Sequence, residues 1–225
     1  MRRTFKYVLG TVGRWAAVSA AFSAILFVAA GTTRLTSLCT YLVAFSVALL
    51  VAMLAVDPQL ARERAHPGHD SSASNLRFAS GVFFLMTLIS ASSLVGHSHT
   101  LIAPTVMRWI ALAIFISSSS LQTWAMVANP YFSPVVRIQA ERGHKLIQFG
   151  PYRFVRHPGY LAMCISVSAS AVAIGSWLAL IPAGAFMAVV YERGKFEDQF
   201  LKANLPGYAQ YAKTVPSGMF HSRST

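Results

Sequence analysis

Acidic residues are scarce in this chain, with seven Asp and Glu against 19 Lys and Arg in 225 residues. Charge of either sign makes up only 12% of the sequence, about half of what soluble domains carry, and this excludes an ordinary water-soluble globule. There are two cysteines, Cys39 and Cys164, both inside apolar runs, so neither a disulfide framework nor a cysteine-based metal site is supported. No repeat of fixed period is visible. The first apolar run lacks a small-residue cleavage site and reads as a span that stays rather than a signal peptide. The net charge of +12 comes without any nucleic-acid reading motif. Its basic residues fall in short clusters between apolar runs, where they set membrane topology and meet anionic lipid headgroups.

What is present in quantity is apolar: 55% of the residues are hydrophobic. Trp15 to Ala30, Leu35 to Val56, Phe78 to Val95 and Trp109 to Ala128 read as four membrane spans, each near the ~20 residues a bilayer requires. Asp57-Pro58 stops the second, and the Arg-rich, Ser-rich stretch to Asn75 reads as a mobile loop. The Ser117 to Ser120 run reads as a helix-helix contact of small residues. Tyr160 to Ile174 and Leu178 to Tyr191 are shorter apolar runs split by Gly175-Ser176-Trp177, the pattern of a tight helical hairpin with Trp177 as an interfacial anchor. A polar helix follows, with Phe196, Phe200 and Leu201 on a membrane-facing stripe, until Leu205-Pro206-Gly207 breaks it. The expected fold is therefore all-α: a polytopic membrane bundle of about six segments, the last two a hairpin, followed by a cytoplasmic C-terminal helix. Residues 1-128 supply the N-terminal spans, and 129-225 the loop, hairpin and terminal helix, as one integrated domain.

In this layout only Arg34 and Arg108, of the 19 basic residues, fall on one side of the membrane. The positive-inside rule then makes both termini, the 129-158 segment and the tail cytoplasmic. The chemically rich regions share that face. His157-Pro158 opens a helix, where Pro loses nothing by lacking an N–H and exposed donors attract oxygen atoms. Tyr152 and Tyr160 flank it. Arg193 and Glu197, four apart, share a helix face, whereas Asp198 is rotated away. Each has a plainer reading too: Arg153, Arg156 and His157 as interfacial anchors, Arg193 and Glu197 as a helical ion pair, and Gln122 as a solvated residue near a span end. His97 and His99 have no third ligand in sight, which speaks against a metal.

The order His144-Lys-Leu-Ile, Gly150-Pro-Tyr-Arg-Phe-Val-Arg-His-Pro-Gly-Tyr160, an apolar hairpin, Arg193-x-x-x-Glu197-Asp198, then Pro206-Gly-Tyr-x-x-Tyr and Val215-Pro-Ser-Gly resembles the isoprenylcysteine carboxyl methyltransferase family and its phospholipid-methyltransferase relatives. The resemblance covers roughly Asn129 to Phe220. It implies an integral membrane enzyme that takes a methyl group from S-adenosyl-L-methionine. Carried over by position, Gln139, His144, Lys145, Leu146, Ile147, Tyr152, His157, Pro158, Gly159 and Tyr160 become the cofactor-contacting set. Glu197 becomes its acidic partner, and Arg193 the residue that meets the acceptor. That acceptor is lipid-like: a prenylcysteine carboxylate or a lipid amine. Two positions depart from the family pattern, Asp198 where a second glutamate is usual and Ala162 where a glycine is usual; the latter is expected to narrow the pocket. An NADPH-dependent sterol or steroid reductase, and a non-catalytic protein on the same scaffold, are the alternatives. Nothing in the sequence speaks to oligomeric state.

Overall fold

The computed structural model describes residues 5–68, 74–98 and 101–219. His99, Phe220, residues 69–73 of the Ser-rich stretch and both termini lie outside the described residues. Among those described, the chain is all-helical: α1 (Phe5–Ala30), α2 (Thr36–Ala55), α3 (Pro58–Ala65), α4 (Ser74–His97), α5 (Thr105–Ala128), α6 (Pro158–Ile174), α7 (Leu180–Asn204) and α8 (Tyr208–Thr214). Two short 3-10 turns, Ala140–Arg142 and Gly150–Arg153, punctuate the connection between α5 and α6.

Four of these helices are long and apolar enough to cross a membrane: Tyr7–Ala30, Thr36–Ala55, Asn75–His97 and Thr105–Ala128. A 20-residue helix such as α2 rises about 30 Å, the thickness of a hydrocarbon core. Only 6% of the most apolar stretch of α1 is buried inside the protein, so its hydrophobic surface faces outward, a surface that water would not tolerate at this size. By length and composition these four qualify among the described residues, and α6 is a shorter apolar helix. α6 has 17 residues, and α7 is one continuous 25-residue helix that starts apolar and turns polar after Tyr191, so the sixth apolar run and the polar helix after it are a single rod.

The expected loop after Asp57-Pro58 is instead a helix. Asp57 caps α3, its carboxylate accepting from the Gln59 N–H at 2.7 Å with Pro58 at the first position. The dipeptide that stops α2 thus starts α3, because Asp is a favoured N-cap and Pro a favoured first residue. The serine run also behaves differently from expectation. Ser118 alone is buried, Ser119 faces a cavity, and Ser117, Ser118 and Ser120 donate to carbonyls of their own helix, as hydroxyls in apolar helices do.

The bundle has two unlike ends. At one, the turn between α6 and α7 is tied to the connection before α5, with Ala103 N–H donating to the Gly175 carbonyl at 2.8 Å and Trp177 N–H to that of Leu101 at 3.2 Å. Because Gly150 touches Ala128 at the other end, α5 and α6 are antiparallel, and they make the most extensive helix contact in the molecule. α1 and α4 meet at Gly96, where a Cβ would lie 2.0 Å from the Ala30 carbonyl oxygen, so only glycine permits that approach. The core between them holds Leu26, Leu38, Tyr41, Leu88, Phe115 and Ile174. At the opposite end gather α3, residues 129–157, the polar half of α7, and α8.

Candidate active site

Residues 129–157 are held by polar ties and by small apolar clusters that pack Tyr152 and Ile147 on α5 and Ile138 and Leu146 on α8. Asn129 Oδ1 accepts from the Tyr131 N–H at 2.9 Å, and the Tyr131 hydroxyl donates to the Gly143 carbonyl at 2.8 Å. Gln139 is fully buried; its amide donates to the Tyr131 carbonyl at 2.9 Å and accepts from Arg142. From outside the segment, Glu63 of α3 accepts from Arg137 through both oxygens, at 3.2 and 2.8 Å, and from Ser133 at 2.9 Å. Burial raises the proton affinity of Glu63, but the bonds from Arg137 and Ser133 outweigh it and hold the carboxyl below its ordinary range.

These ties shape a polar cleft of about 80 Å³ between the loop, the start of α6 and the polar half of α7. It is lined by His144, Lys145, Leu146, Ile147, Tyr152, His157, Pro158, Gly159, Tyr160 and Glu197. Gln139 does not line it; its side chain is spent on holding the loop. The His144 ring stacks on Tyr131 at 4.4 Å, and its Nδ1 accepts from the Gln139 N–H at 3.3 Å, which leaves the proton on Nε2. Burial pushes its pKa down, with Glu197 opposing that and Arg137 and Arg142 adding to it, so the imidazole is neutral at pH 7. Tyr160 donates to Glu197 Oε2 at 2.5 Å. Gly159 is required by Phe132, whose ring would lie 2.4 Å from a Cβ there.

Arg193 lines neither the cleft nor the larger cavity below. It is buried, donates to the Pro134 carbonyl, lies 5.5 Å over the Tyr160 ring, and its Nε has no hydrogen-bond partner. Arg193 and Glu197 form no ion pair, since each is taken by a different neighbour. Asp198, rotated away from the cleft, is a clasp: it accepts from Arg156 at 2.8 and 3.3 Å, from Tyr208 at 2.9 Å and from Lys202 at 2.7 Å, with His157 Nε2 at 3.4 Å. Burial opposes its ionisation, yet the bonds from His157, Lys202, Arg156 and Tyr208 prevail and keep the carboxyl far below its ordinary range. Arg156 also donates to the Val215 carbonyl at 2.7 Å. The chain end is thereby drawn across the start of α6, and Met219 packs under Gly194. Leu201 turns into the cleft rather than out to lipid, and Ala162 is fully buried and absent from either lining, so it narrows neither.

Below the cleft lies a second cavity of about 850 Å³, within the range of ligand-binding chambers. Tyr41, Phe45, Leu49, Phe84, Phe115 and Phe186 supply its apolar walls, and Gln122 faces into it rather than into solvent. Its polar rim on α3 includes Arg62, Arg64 and His66. Sequence reasoning missed the contributions of Tyr131, Phe132 and α3. Tyr131 and Phe132 stand out only as two more aromatics in an aromatic segment, and α3 was concealed as a loop. No cluster of His, Cys, Asp and Glu suited to a metal occurs among the described residues.

The helical bundle thus carries a cleft at one end and a larger, mainly apolar chamber beneath it. Residues 109–203 match the model of the isoprenylcysteine carboxyl methyltransferase (ICMT) family, so the resemblance read from the sequence is borne out over that stretch. The chain is 32% identical over 119 residues to a probable protein-S-isoprenylcysteine O-methyltransferase of Oryza sativa subsp. indica, covering 50% of this chain and 61% of that protein. It is 32% identical over 120 residues to protein-S-isoprenylcysteine O-methyltransferase B of Arabidopsis thaliana, covering 49% and 59%. Similarity also extends to the cobalt-zinc-cadmium resistance protein CzcN of Cupriavidus metallidurans, at 26% over 141 residues and 59% of each chain. The matches thus span about three fifths of the length of these curated relatives.

Proposed function

We propose that the protein is an integral membrane methyltransferase that moves a methyl group from S-adenosyl-L-methionine, held in the cleft, to a lipophilic acceptor held in the chamber. The observation that carries this reading is the junction of the two cavities. Phe132 lines the cleft, and its ring and carbonyl contact Arg64, which lines the chamber. Arg193 and Tyr160 lie beside that contact.

The residues of the cleft fit the chemistry of such a cofactor. Glu197 offers a carboxylate to an ammonium group, Tyr131 and His144 offer aromatic faces, and the first turn of α6 leaves N–H donors without intrahelical partners. At about 80 Å³ the cleft is smaller than the ~300 Å³ that small-ligand sites occupy. The bound cofactor supplies an electrophilic methyl on a sulfonium. The protein supplies alignment and exclusion of water, since in-line transfer needs little acid-base help. The neutral His144, whose ring carries no charge, suits a cationic neighbour. Arg193, buried behind Tyr160 and lining neither cavity, is the candidate for an acceptor oxygen that reaches its unpartnered Nε: a carboxylate if the acceptor is a prenylcysteine, a phosphate if it is a lipid amine. The large apolar chamber favours a long prenyl or acyl chain in either case.

By this reading α6 and α7 are the fifth and sixth membrane segments, a re-entrant pair in which α6 rises only about 25 Å. The cleft end and both termini face the cytoplasm, as the distribution of basic residues favours. Residues 1-128 and 129-225 work as one unit, which the Glu63–Arg137 tie supports. The test is equilibrium binding of S-adenosylhomocysteine and of NADPH to detergent-purified full chain. Micromolar binding of the former alone is expected; binding of NADPH alone transfers the protein to the reductase class, and binding of neither makes it a non-catalytic relative.

A further inference from the structure

Of the residues that line the chamber, three are arginines, Arg14, Arg62 and Arg64, and none is Asp or Glu. Arg64 is the one at the junction with the cleft. Its guanidinium lies 5.4 Å over the Phe132 ring and donates to the Phe132 carbonyl at 3.4 Å, a long bond. It has no carboxylate within salt-bridge reach among the described residues, because Glu63, its neighbour on α3, is bound to Arg137. Arg64 is exposed, and it lines the chamber. Neighbouring protein atoms and the Arg193 charge both lower its proton affinity, the mark of two like charges placed side by side. Like charges side by side, on a chamber lined by arginines and no carboxylate, favour the entry of an anion.

We propose that Arg64 binds the anionic head group of an amphiphile whose apolar chain fills the chamber, and so positions the acceptor at the mouth of the cleft. The shared chemistry is a carboxylate or phosphate carried on a single long chain. Arg64 lies on α3, outside the stretch 109–203 matched to the family. The inference rests on the methyl-transfer reading only for what happens to the head group once it is held; the binding itself stands on the chamber.

Three probes of equal chain length separate the possibilities: N-acetyl-S-farnesylcysteine, its carboxamide, and farnesyl phosphate. Binding of each to the purified full chain is measured for wild type, Arg64→Ala, Arg64→Gln and Arg64→Lys, with S-adenosylhomocysteine binding followed in parallel. Wild type is expected to bind an acid at least about tenfold more tightly than the carboxamide, the contribution of one charge-assisted pair. A preference among the two acids identifies the head group. Arg64→Ala and Arg64→Gln should erase that tenfold margin, Arg64→Lys should restore part of it, and all should bind the carboxamide as wild type does. In methyl-transfer assays the loss should appear in KM more than in kcat. Equal binding of acid and amide by wild type, or an acid preference that survives Arg64→Gln, overturns the proposal; the wild-type comparison decides even if a variant does not fold. Absence of S-adenosylhomocysteine binding with the acid preference intact overturns the methyl-transfer reading and leaves this one standing.

Discussion

The cleft and the chamber meet at Phe132 but are made in opposite ways. The chamber is a gap left between helices, with walls of ordinary core side chains such as Phe115 and Phe186, and its shape follows from how the helices pack. The cleft is assembled from a segment that packs only in small apolar clusters and is held by Gln139, the Glu63–Arg137 tie and the Asp198 clasp. A space between packed helices tolerates substitution of one wall residue, because the remaining walls keep it open. A cleft suspended from a few charged bonds does not, since each lost partner leaves a buried group unsatisfied.

The sharpest test of this contrast sets Arg193 against Glu197. Arg193→Ala should leave S-adenosylhomocysteine affinity within about twofold of wild type and lower kcat by about 10²-fold or more, the scale for removing a donor that acts at the reacting centre. Glu197→Ala should instead weaken that affinity by about 10- to 100-fold, the value of a charge-assisted pair. Calorimetry and single-turnover methyl transfer would read both; unchanged turnover in the two variants would mean the site is misplaced. A smaller effect is expected in the chamber. Ser119→Phe, which fills space without touching the cleft, should raise acceptor KM by about tenfold for a long chain and little for a short one. Cofactor affinity should not move.

The mildest functional effect, read as stability, belongs to the clasp. The folded-state pKa of Asp198 lies below its unfolded value near ~3.9, so its contribution is present above that pH and is lost as pH falls through and below it. Asp198→Asn should lower stability at pH 7 by about 2 kcal/mol and flatten the fall in thermal midpoint between pH 5 and pH 3. A wild-type slope retained in the variant would assign the acid sensitivity elsewhere, Glu63 being the next group with a depressed pKa.

The elements legible in the sequence were those with a strong local cause. Long apolar runs became helices of the expected type because no alternative satisfies backbone polar groups in lipid. Arg193 and Glu197 were correctly placed on one side of a helix and Asp198 on another, since helical spacing alone decides that. α3 was hidden because Asp57-Pro58 carries two meanings, a stop for one helix and a cap for the next, and only a buried partner for Glu63 makes the second worthwhile. Gln139 shows the opposite failure: its position in the motif says that it matters, but not that its amide faces the loop instead of the cleft.

The sequence by itself determined a bundle of helices, four of them long and apolar enough to cross a membrane, with a polar, aromatic and basic segment after residue 129. Hydropathy and charge order suffice for this, because they act residue by residue along the chain. Only the tertiary structure decided which residues share a cavity. It placed Arg193 behind Tyr160, turned Leu201 inward, and brought Arg64, sixty-eight positions before Phe132, to the junction of cleft and chamber. Contacts across such distances depend on how helices stack and on which buried charges find partners, and neither is a local property of sequence.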